Sequence, residues 1–267
     1  MKSVSDIGLA DVNAVYDGRE GDLWELIMGQ QIHIGGFQSS MDLAERAGVG
    51  QGMRGVDLCC CNGAGMRFLV RFRDVAAMTG VDATETVVAR GRRRCEEEGL
   101  ADRVQFVFAD VCKSGLPSAG ADFVWGEDAW CYVADKPRLI AEAARIVKPG
   151  GAIAFTDWVE GPKGLSDPEA ERFLRFMKFP SVQDIPGYAR LLAGNGCTVA
   201  AAEDSGRFPS YIDLYIAMVE KQLTYDALRI IGFNFDVMQA LGSEMMFMRE
   251  LAHAGKIAQG RFIARRK

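Results

Sequence analysis

The sequence predicts an α/β fold built on a mostly parallel sheet, and three observations carry this prediction. Short apolar segments alternate with amphipathic segments between residues 53 and 157. Several of the apolar segments end in an aspartate, and a turn of small residues follows the first of them. Strands that are separated by helices pair in parallel through right-handed crossovers. Helices then cover both faces of the sheet, which explains why the predicted strands are nearly continuous apolar runs.

The individual elements follow from the spacing of apolar residues. The predicted parallel strands are residues 56–60, 76–82, 104–109, 121–125 and 151–157. The predicted helices between them are residues 66–72, 84–98 and 136–146. Gly99 marks the end of the second helix, because glycine readily adopts the left-handed conformation that closes a helix.

The remainder of the chain is mostly helical. Residues 167–177, 181–193, 212–228 and 236–254 are predicted helices, and residues 197–202 and 260–265 are predicted strands. Two late strands joined by a helical insertion, at about residues 205–258, predict a C-terminal antiparallel hairpin at the edge of the sheet. We interpret residues 1–50 as an N-terminal helical arm or lid and residues 51–267 as the main domain.

Composition limits the partners and the compartment. The net charge of −5 disfavours a nucleic-acid partner, because phosphate binding requires a basic surface. No uncharged apolar run approaches the roughly 20 residues of a membrane helix. Three of the 7 cysteines are adjacent, only 2 histidines are present, and no C-x-x-C pair occurs, so we expect no metal site. Free thiols and the absence of a signal pattern near residue 1 predict a cytoplasmic protein.

The segment VDLCCCNGAG, residues 56–65, joins an apolar strand to a helix through a turn of small residues. Such a turn exposes backbone N–H groups at a helix N-terminus and cradles the polar end of a nucleotide-like cofactor. Cys59 and Cys61 stand where a glycine-rich loop would carry glycines. A side chain at either position narrows the space over the cofactor unless its backbone has negative φ, which cysteine tolerates. We expect cofactor binding to survive because Gly63 remains at the most crowded point, so Cys59, Cys61 and Gly63 are candidate cofactor-binding residues.

Three aspartates at successive strand ends indicate which cofactor binds. Ligands of an open parallel sheet lie outside the carboxyl ends of the strands, so Asp57, Asp82 and Asp110 face one crevice. Asp82 is placed to bind ribose hydroxyls. Asp110 is placed to accept from an adenine amino group, and the Val111 N–H to donate to a ring nitrogen. A row of carboxylates suits a ligand with a sulfonium and an ammonium better than a pyrophosphate. We therefore expect S-adenosylmethionine.

Five motifs in order resemble class I S-adenosylmethionine-dependent methyltransferases, from residue 56 to about residue 157. They are VDLCCCNGAG at 56–65, GVD at 80–82, FADV at 108–111, DFVWGEDA at 122–129 and VKPGG at 147–151. The resemblance implies a Rossmann-like, mostly parallel seven-stranded sheet with a C-terminal antiparallel hairpin. It also implies methyl transfer to a small molecule, S-adenosylhomocysteine as product, and further cofactor contacts at Ala83 and Glu127.

Two segments resemble the sarcosine/dimethylglycine and phosphoethanolamine N-methyltransferase types more closely: GQQIHIGG at 29–36 and WGEDA at 125–129. This resemblance implies that the N-terminal segment folds over the cofactor, with His33 and Ile34 against its methionine part. It places Tyr16 where the phosphoethanolamine type has an active-site tyrosine. Tyr132 stands where these amine enzymes often carry a histidine, so the usual general base is missing.

The candidates for the acceptor side are tyrosines and tryptophans. Tyr16 and Tyr132 are the candidate catalytic residues that position or deprotonate the acceptor. Trp24, Trp130 and Trp158 are the candidate acceptor-binding residues, because an aromatic wall attracts a cationic amine. An amine is the preferred acceptor, and a carbon or oxygen of an aromatic or isoprenoid metabolite is the alternative. Two other function classes stay open, a non-catalytic cofactor-binding protein and a nicotinamide oxidoreductase. The oligomeric state is either a monomer or a homodimer.

Overall fold

The computed structural model describes all residues, 1–267, and contains nine strands and eleven α-helices. The strands are β1 (Lys2–Ser3), β2 (Arg54–Leu58), β3 (Ala77–Asp82), β4 (Val104–Phe108), β5 (Ala121–Glu127), β6 (Val147–Glu160), β7 (Ser181–Asp184), β8 (Cys197–Asp204) and β9 (Ile257–Arg266). The helices are α1 (Leu9–Asp17), α2 (Arg19–Met28), α3 (Gly36–Ala47), α4 (Ala64–Phe72), α5 (Glu85–Glu97), α6 (Lys136–Ile146), α7 (Asp167–Met177), α8 (Ile185–Gly194), α9 (Phe208–Lys221), α10 (Thr224–Ile230) and α11 (Phe235–His253).

Seven strands form the main sheet in the order β4-β3-β2-β5-β6-β9-β8. The strands from β4 to β6 are parallel, and β9 lies antiparallel between β6 and β8. The short strand β7 pairs in parallel with the end of β6, and β1 pairs antiparallel with β7. The predicted Rossmann-like sheet with a C-terminal antiparallel hairpin is therefore confirmed.

Two predicted helices differ from the structure. Residues 181–184 form strand β7, and the helix begins only at Ile185 because the Asp184 side chain caps it by accepting from Gly187 N at 2.7 Å. Pro186 lies in the first turn of α8, where its missing N–H leaves no hydrogen bond unmade. Residues 212–228 are divided between α9 and α10, with a break after Lys221.

Three hydrophobic clusters hold the layers together. Side chains of α3, α4 and α5 pack on one face of the sheet, and side chains of α6 and α8 pack on the other. A third cluster joins α1, α2 and α7 to the helical insertion α9–α11. This arrangement leaves the carboxyl ends of the parallel strands facing α1 and the segment before α3. None of the helices is long and apolar enough to span a bilayer.

A buried glutamate fixes the segment that follows β4. Glu142 on α6 accepts from Ser114 N at 2.9 Å and from Ser114 Oγ at 2.5 Å. Arg145 donates to the same carboxylate through two nitrogens at 2.7 Å each. The Arg145 hydrogen bonds, more than those of Ser114, lower the pKa of Glu142 to about 2 against the opposing effect of burial. The residues between β4 and α6 are thus tied to the helix layer.

We predict that Glu142→Ala lowers the free energy of unfolding at neutral pH by about 2 kcal/mol, because Ser114 and Arg145 lose a charged acceptor. A carboxyl with a depressed pKa stabilises the fold above its unfolded pKa and loses that effect as pH falls toward about 2. The difference between wild type and variant should therefore shrink below about pH 4. Urea unfolding at several pH values measures this difference. The control is Glu96→Ala, because Glu96 is an exposed residue of α5. An equal loss in both variants would contradict the prediction.

Candidate cofactor and acceptor site

Two adjoining cavities lie at the carboxyl ends of β2, β3, β4 and β5. The larger one has a volume of about 290 Å³ and the smaller one about 50 Å³. Tyr16, Cys59 and Cys61 line both of them. The predicted residues that line only the larger cavity are Asp82, Ala83, Asp110, Val111 and Tyr132. The predicted residues that line only the smaller one are His33, Asp57 and Glu127. Most of the predicted site residues are therefore brought to one place.

The turn after β2 shows which of the two possible backbone conformations the cysteines adopt. Cys59 and Cys61 have φ of 63° and 48°, so both are left-handed and the condition of negative φ is not met. A side chain in this conformation costs about 1–2 kcal/mol. Backbone hydrogen bonds oppose that cost: Cys59 N donates to Val81 O at 2.9 Å, and Cys61 N to Asp82 Oδ2 at 2.8 Å. The two thiols narrow the cavities without closing them.

Gly63 completes the turn but lies away from the cavities. Its φ is 75°, and a Cβ built there would lie 2.5 Å from the Phe106 ring. The position therefore excludes a side chain, but the crowding is not in the cofactor space where the sequence analysis expected it. The crowding comes from the hydrophobic core beneath the turn, since Gly63 lines neither cavity. Its role is to let α4 begin directly at Ala64.

Asp82 at the end of β3 links the strand to the turn. Its Oδ2 accepts from Cys61 N, and its Oδ1 accepts from Thr84 N at 2.9 Å. Burial raises the pKa of Asp82, and these backbone hydrogen bonds oppose the rise. Asp110 follows β4 and accepts from Cys112 N at 2.8 Å, with its side chain on the exposed rim of the larger cavity. The two aspartates thus border the cavity from neighbouring strands.

Asp57 and Glu127 form an acidic end of the smaller cavity. Asp57 is 4% exposed. Burial first, then the charges of Glu127 and Asp82, raise the pKa of Asp57 well above its ordinary value, and no hydrogen bond opposes them. A Cβ built on Gly65 would lie 2.7 Å from Glu127 Oε2 and 3.6 Å from Asp57 Oδ2. Both carboxylates therefore lie beside Gly65, which has no side chain to fill the space. Their mutual repulsion favours a cationic ligand there.

The segment before α3 supplies polar groups to the smaller cavity. His33 Nε2 lies 3.1 Å from Ser40 Oγ and 3.4 Å from Glu127 Oε1, and Ser40 Oγ donates to Glu127 Oε1 at 2.6 Å. Ile34 N donates to Asp128 Oδ2 at 2.8 Å, and Gln259 Nε2 donates to Ile34 O at 3.0 Å. These contacts fasten the N-terminal arm to the ends of β5 and β9. Ile34 itself lines neither cavity, and its neighbour Ile32 lines the smaller one instead.

Tyr16 and Tyr132 meet at the junction of the two cavities. Their hydroxyl oxygens are 3.0 Å apart although 116 positions separate them in sequence, and their rings are edge-on at 5.6 Å. Burial, followed by the Tyr132 charge, raises the pKa of Tyr16 well above its ordinary value. Burial, followed by the Cys131 charge, does the same for Tyr132. Both hydroxyls are therefore neutral at physiological pH and can orient a ligand by hydrogen bonding.

A buried lysine and aspartate support the turn that carries Tyr132. Lys136 is fully buried, and its Nζ donates to the carbonyl oxygens of Cys131, Val133 and Ser181 at 3.0–3.3 Å. Asp157 accepts from Cys131 N at 2.9 Å, and burial raises its pKa to about 7. Both partners hold the backbone on either side of Tyr132. These contacts thus fix the backbone from which the Tyr132 side chain extends.

The three predicted tryptophans do not share a pocket. Trp130 is fully buried, stacks on Phe155 at 4.0 Å and donates to Leu58 O at 3.1 Å. Trp158 packs among Phe173, Phe179 and Phe208. Neither lines a cavity at the strand ends, because both rings point into the core. Trp24 lines a separate cavity between α2 and the helical insertion.

Several residues at the cavities were not predicted as site residues. They are Gln30, Gln31, Ile32, Asn62, Thr84, Asp128 and Asp135. Gln30, Gln31 and Ile32 belong to the same GQQIHIGG segment that was singled out, so the segment was a usable signal. Which of its side chains face inward depends on the Gly35 and Gly36 turn, where φ is 87° and 45°. Apolar periodicity does not reveal such a turn.

Residues 56–155 match a family model described as a methyltransferase domain. Phosphoethanolamine N-methyltransferase 1 of Arabidopsis thaliana is 26% identical over 203 residues, which is 74% of this chain and 40% of that protein. The chain thus spans less than half the length of this relative. A 27-O-demethylrifamycin SV methyltransferase of Amycolatopsis mediterranei is 28% identical over 202 residues, 70% of this chain and 74% of the relative.

A solved structure of Haemonchus contortus phosphoethanolamine N-methyltransferase 2, in complex with S-adenosyl-L-methionine, has a TM-score of 0.83 with this chain. The alignment covers 95% of this chain and 59% of that one at 19% identity. At this identity the likeness shows the fold. The same fold in that protein holds the cofactor named.

We predict that Tyr132→Phe leaves the near-ultraviolet absorbance of tyrosinate in the native protein unchanged at about pH 10, because the buried Tyr132 is not ionised there. In urea the same substitution should remove the signal of one of the 6 tyrosines. Spectrophotometric titration of both proteins, native and unfolded, makes the measurement. A native signal that falls in the variant would show that Tyr132 titrates like an exposed phenol.

Proposed function

We propose that the chain is a class I S-adenosylmethionine-dependent methyltransferase that transfers a methyl group from S-adenosylmethionine to a small-molecule acceptor, and the match of residues 56–155 to a methyltransferase domain supports this. One observation carries the proposal. A buried carboxylate on β2 and partly buried ones on β3 and β5 converge on a cleft at the carboxyl edge of the sheet, where no protein cation lies against Asp57. A ligand with a ribose at one end and positive charges at the other fits this distribution of groups.

The residues divide between the two ends of the cleft. Asp82 would hold the ribose, with Ala83, Asp110 and Val111 along the adenine. Asp57 and Glu127 would hold the ammonium group, beside His33 and the amide side chains before α3. When bound, the cofactor supplies an activated methyl group on a sulfonium. Cys59 and Cys61 lie between the two ends and line both cavities, so the uncharged thiols would border the sulfonium region.

The N-terminal arm would exclude water from the cleft. Gly8, Leu9, Val12 and Tyr16 on and before α1 line the larger cavity. The arm is fastened by the Ile34 and His33 contacts rather than by hydrophobic packing alone. Its α1 portion can therefore cover the cleft while the segment before α3 stays in place. Closure of this kind strengthens polar contacts, because it removes competing water.

An amine is the acceptor we propose. Support comes from the match to a phosphoethanolamine N-methyltransferase and from the acidic character of the cleft. Tyr16 and Tyr132 would orient the acceptor by their neutral hydroxyls, and holding it in line is the main demand on the protein, worth on the order of 7–11 kcal/mol. The chain has no histidine at this point, so deprotonation of an ammonium acceptor would fall to another group.

Transfer of a labelled methyl group tests the proposal. The purified protein is incubated with methyl-labelled cofactor and a panel of glycine derivatives, phosphoethanolamine, alkylamines and phenols. Label in any acceptor establishes methyl transfer, and label in amines alone establishes N-methylation. Label only in phenols would overturn the amine acceptor. Failure to bind S-adenosylhomocysteine in calorimetry would overturn the proposed function as a whole.

We predict that Asp82→Ala weakens S-adenosylhomocysteine binding by about 2 kcal/mol, roughly 30-fold, because hydrogen bonds to a charged acceptor are lost. Part of this effect would arise from the turn, since Cys61 N also loses its acceptor. Asp82→Asn separates the two, because it retains an acceptor oxygen for Cys61 N and one polar group for the ribose. Its affinity should be intermediate.

Titration calorimetry measures the dissociation constants, with Glu85→Ala as the control. Glu85 is exposed and begins the helix that follows Asp82, so its removal should leave the affinity unchanged. An unchanged affinity in Asp82→Ala would mean that the ribose lies elsewhere.

A further inference from the structure

A third cavity lies outside the cofactor cleft, between α2 and the helical insertion α9–α11. Its volume is about 440 Å³, and it shares no lining residue with the two cavities at the strand ends. Eleven of its 15 lining residues are hydrophobic. This volume and lining are those of a small-molecule site, because such sites span about 300–1,000 Å³ and are mostly apolar.

Helix α11 forms one wall of the cavity. Met238, Leu241 and Met245 line the cavity at helical spacing. The fully buried residues of α11 are Met248, Leu251 and Ala252, all in its C-terminal third. The N-terminal two thirds of α11 contain no fully buried residue, and Met238, Leu241 and Met245 both line the cavity and contact the third hydrophobic cluster. Methionine side chains adapt to irregular apolar shapes, which suits a wall that contacts a ligand.

The ionisable groups at the cavity are acidic. Glu20 and Glu220 are the charged lining residues, and no lysine or arginine lines the cavity. Burial raises the pKa of Glu20, and the charge of Lys178 and a polar contact with Trp24 oppose this rise only in part. Trp24 also lines the cavity. An apolar anion such as a fatty acid is disfavoured by this charge, and an apolar cation is favoured by it.

Glu20 connects this cavity to the tyrosine pair. It lies four residues after Tyr16, across the corner between α1 and α2. The start of α2 packs directly on Tyr16, since a Cβ built on Gly21 would lie 3.0 Å from Tyr16 Cα. The charge of Glu20 also reaches Tyr132 and contributes to its raised pKa. Glu20 therefore links the lining of this cavity to the helix corner that carries Tyr16.

We infer that this cavity holds the apolar part of the methyl acceptor, and that the acceptor is an amine on a hydrocarbon skeleton whose ammonium group lies beside Glu20 and Trp24. This inference rests on the proposed function, because it identifies the substrate class of that activity. It also names the group to which deprotonation of the acceptor falls. The Glu20 carboxylate accepts the ammonium proton and becomes the neutral acid, which leaves a lone pair on the nitrogen.

Three ligands of one chain length test the inference: nonylamine, nonan-1-ol and nonanoate, titrated by calorimetry into the protein saturated with S-adenosylhomocysteine. We expect nonylamine to bind about tenfold or more tightly than nonanoate. Glu20→Gln should reduce nonylamine affinity to that of nonanol and leave nonanol affinity unchanged. Gly242→Phe should weaken both, because Gly242 lines the cavity and a Cβ there meets no atom within 4 Å, so the ring fills the space.

Gly194→Phe is the matched control, because Gly194 ends α8 on the exposed surface and also has no atom within 4 Å of an added Cβ. It should bind all three ligands as wild type does. Affinity for S-adenosylhomocysteine verifies that each variant is folded, and Gly242→Leu replaces Gly242→Phe if the larger ring prevents folding. Equal affinity for the three ligands, or unaltered binding in the filled variant, overturns the inference while cofactor binding leaves the proposed function standing. Loss of cofactor binding in wild type overturns both.

Discussion

The repulsion among buried and partly buried carboxylates at one edge of the sheet is the constraint on which the site depends. Asp57, Asp82 and Glu127 end three neighbouring strands, and their backbone positions are fixed by the pairing of β2 with β3 and β5. The chain satisfies Asp82 with backbone N–H groups and Glu127 with Ser40, but it leaves Asp57 without a partner. Such an arrangement is unfavourable in the empty protein and becomes favourable with a cation, so the fold itself is biased toward a positively charged ligand.

The sequence was sufficient for the sheet and for the acids that border the cleft. Apolar runs that end in aspartate locate the carboxyl ends of parallel strands. Parallel pairing then brings those ends together, whatever conformation the loops adopt. Tyr16 and Tyr132 were also identified from motif position, although their contact depends on how α1 lies across the sheet. Periodicity carries no information on that packing, because it describes one element at a time.

Backbone conformation and side-chain direction are the features that the sequence does not determine. Cys59, Cys61 and Gly63 all have positive φ, although cysteine rarely adopts it, so residue type does not indicate this turn. Trp130 and Trp158 follow strand ends, yet their rings point into the core, where Trp130 finds a carbonyl acceptor. A tryptophan that follows a strand end can point into the core or into the cleft, and the local sequence is compatible with both. The domain boundaries and the roles of individual site residues stay predictions.

The fastening of the N-terminal arm has a consequence for dynamics. Asp128 receives hydrogen bonds from both Ile34 N and Gln259 Nε2, and Gln259 also binds Ile34 O. Three segments that are far apart in the chain thus form one cooperative unit around a single buried aspartate. Release of any one of them exposes the polar groups of the other two, so local opening here is an all-or-none event. Amide hydrogen exchange at Ile34 would then report the opening rate of the whole unit, and ligand exchange could be no faster wherever it requires that opening.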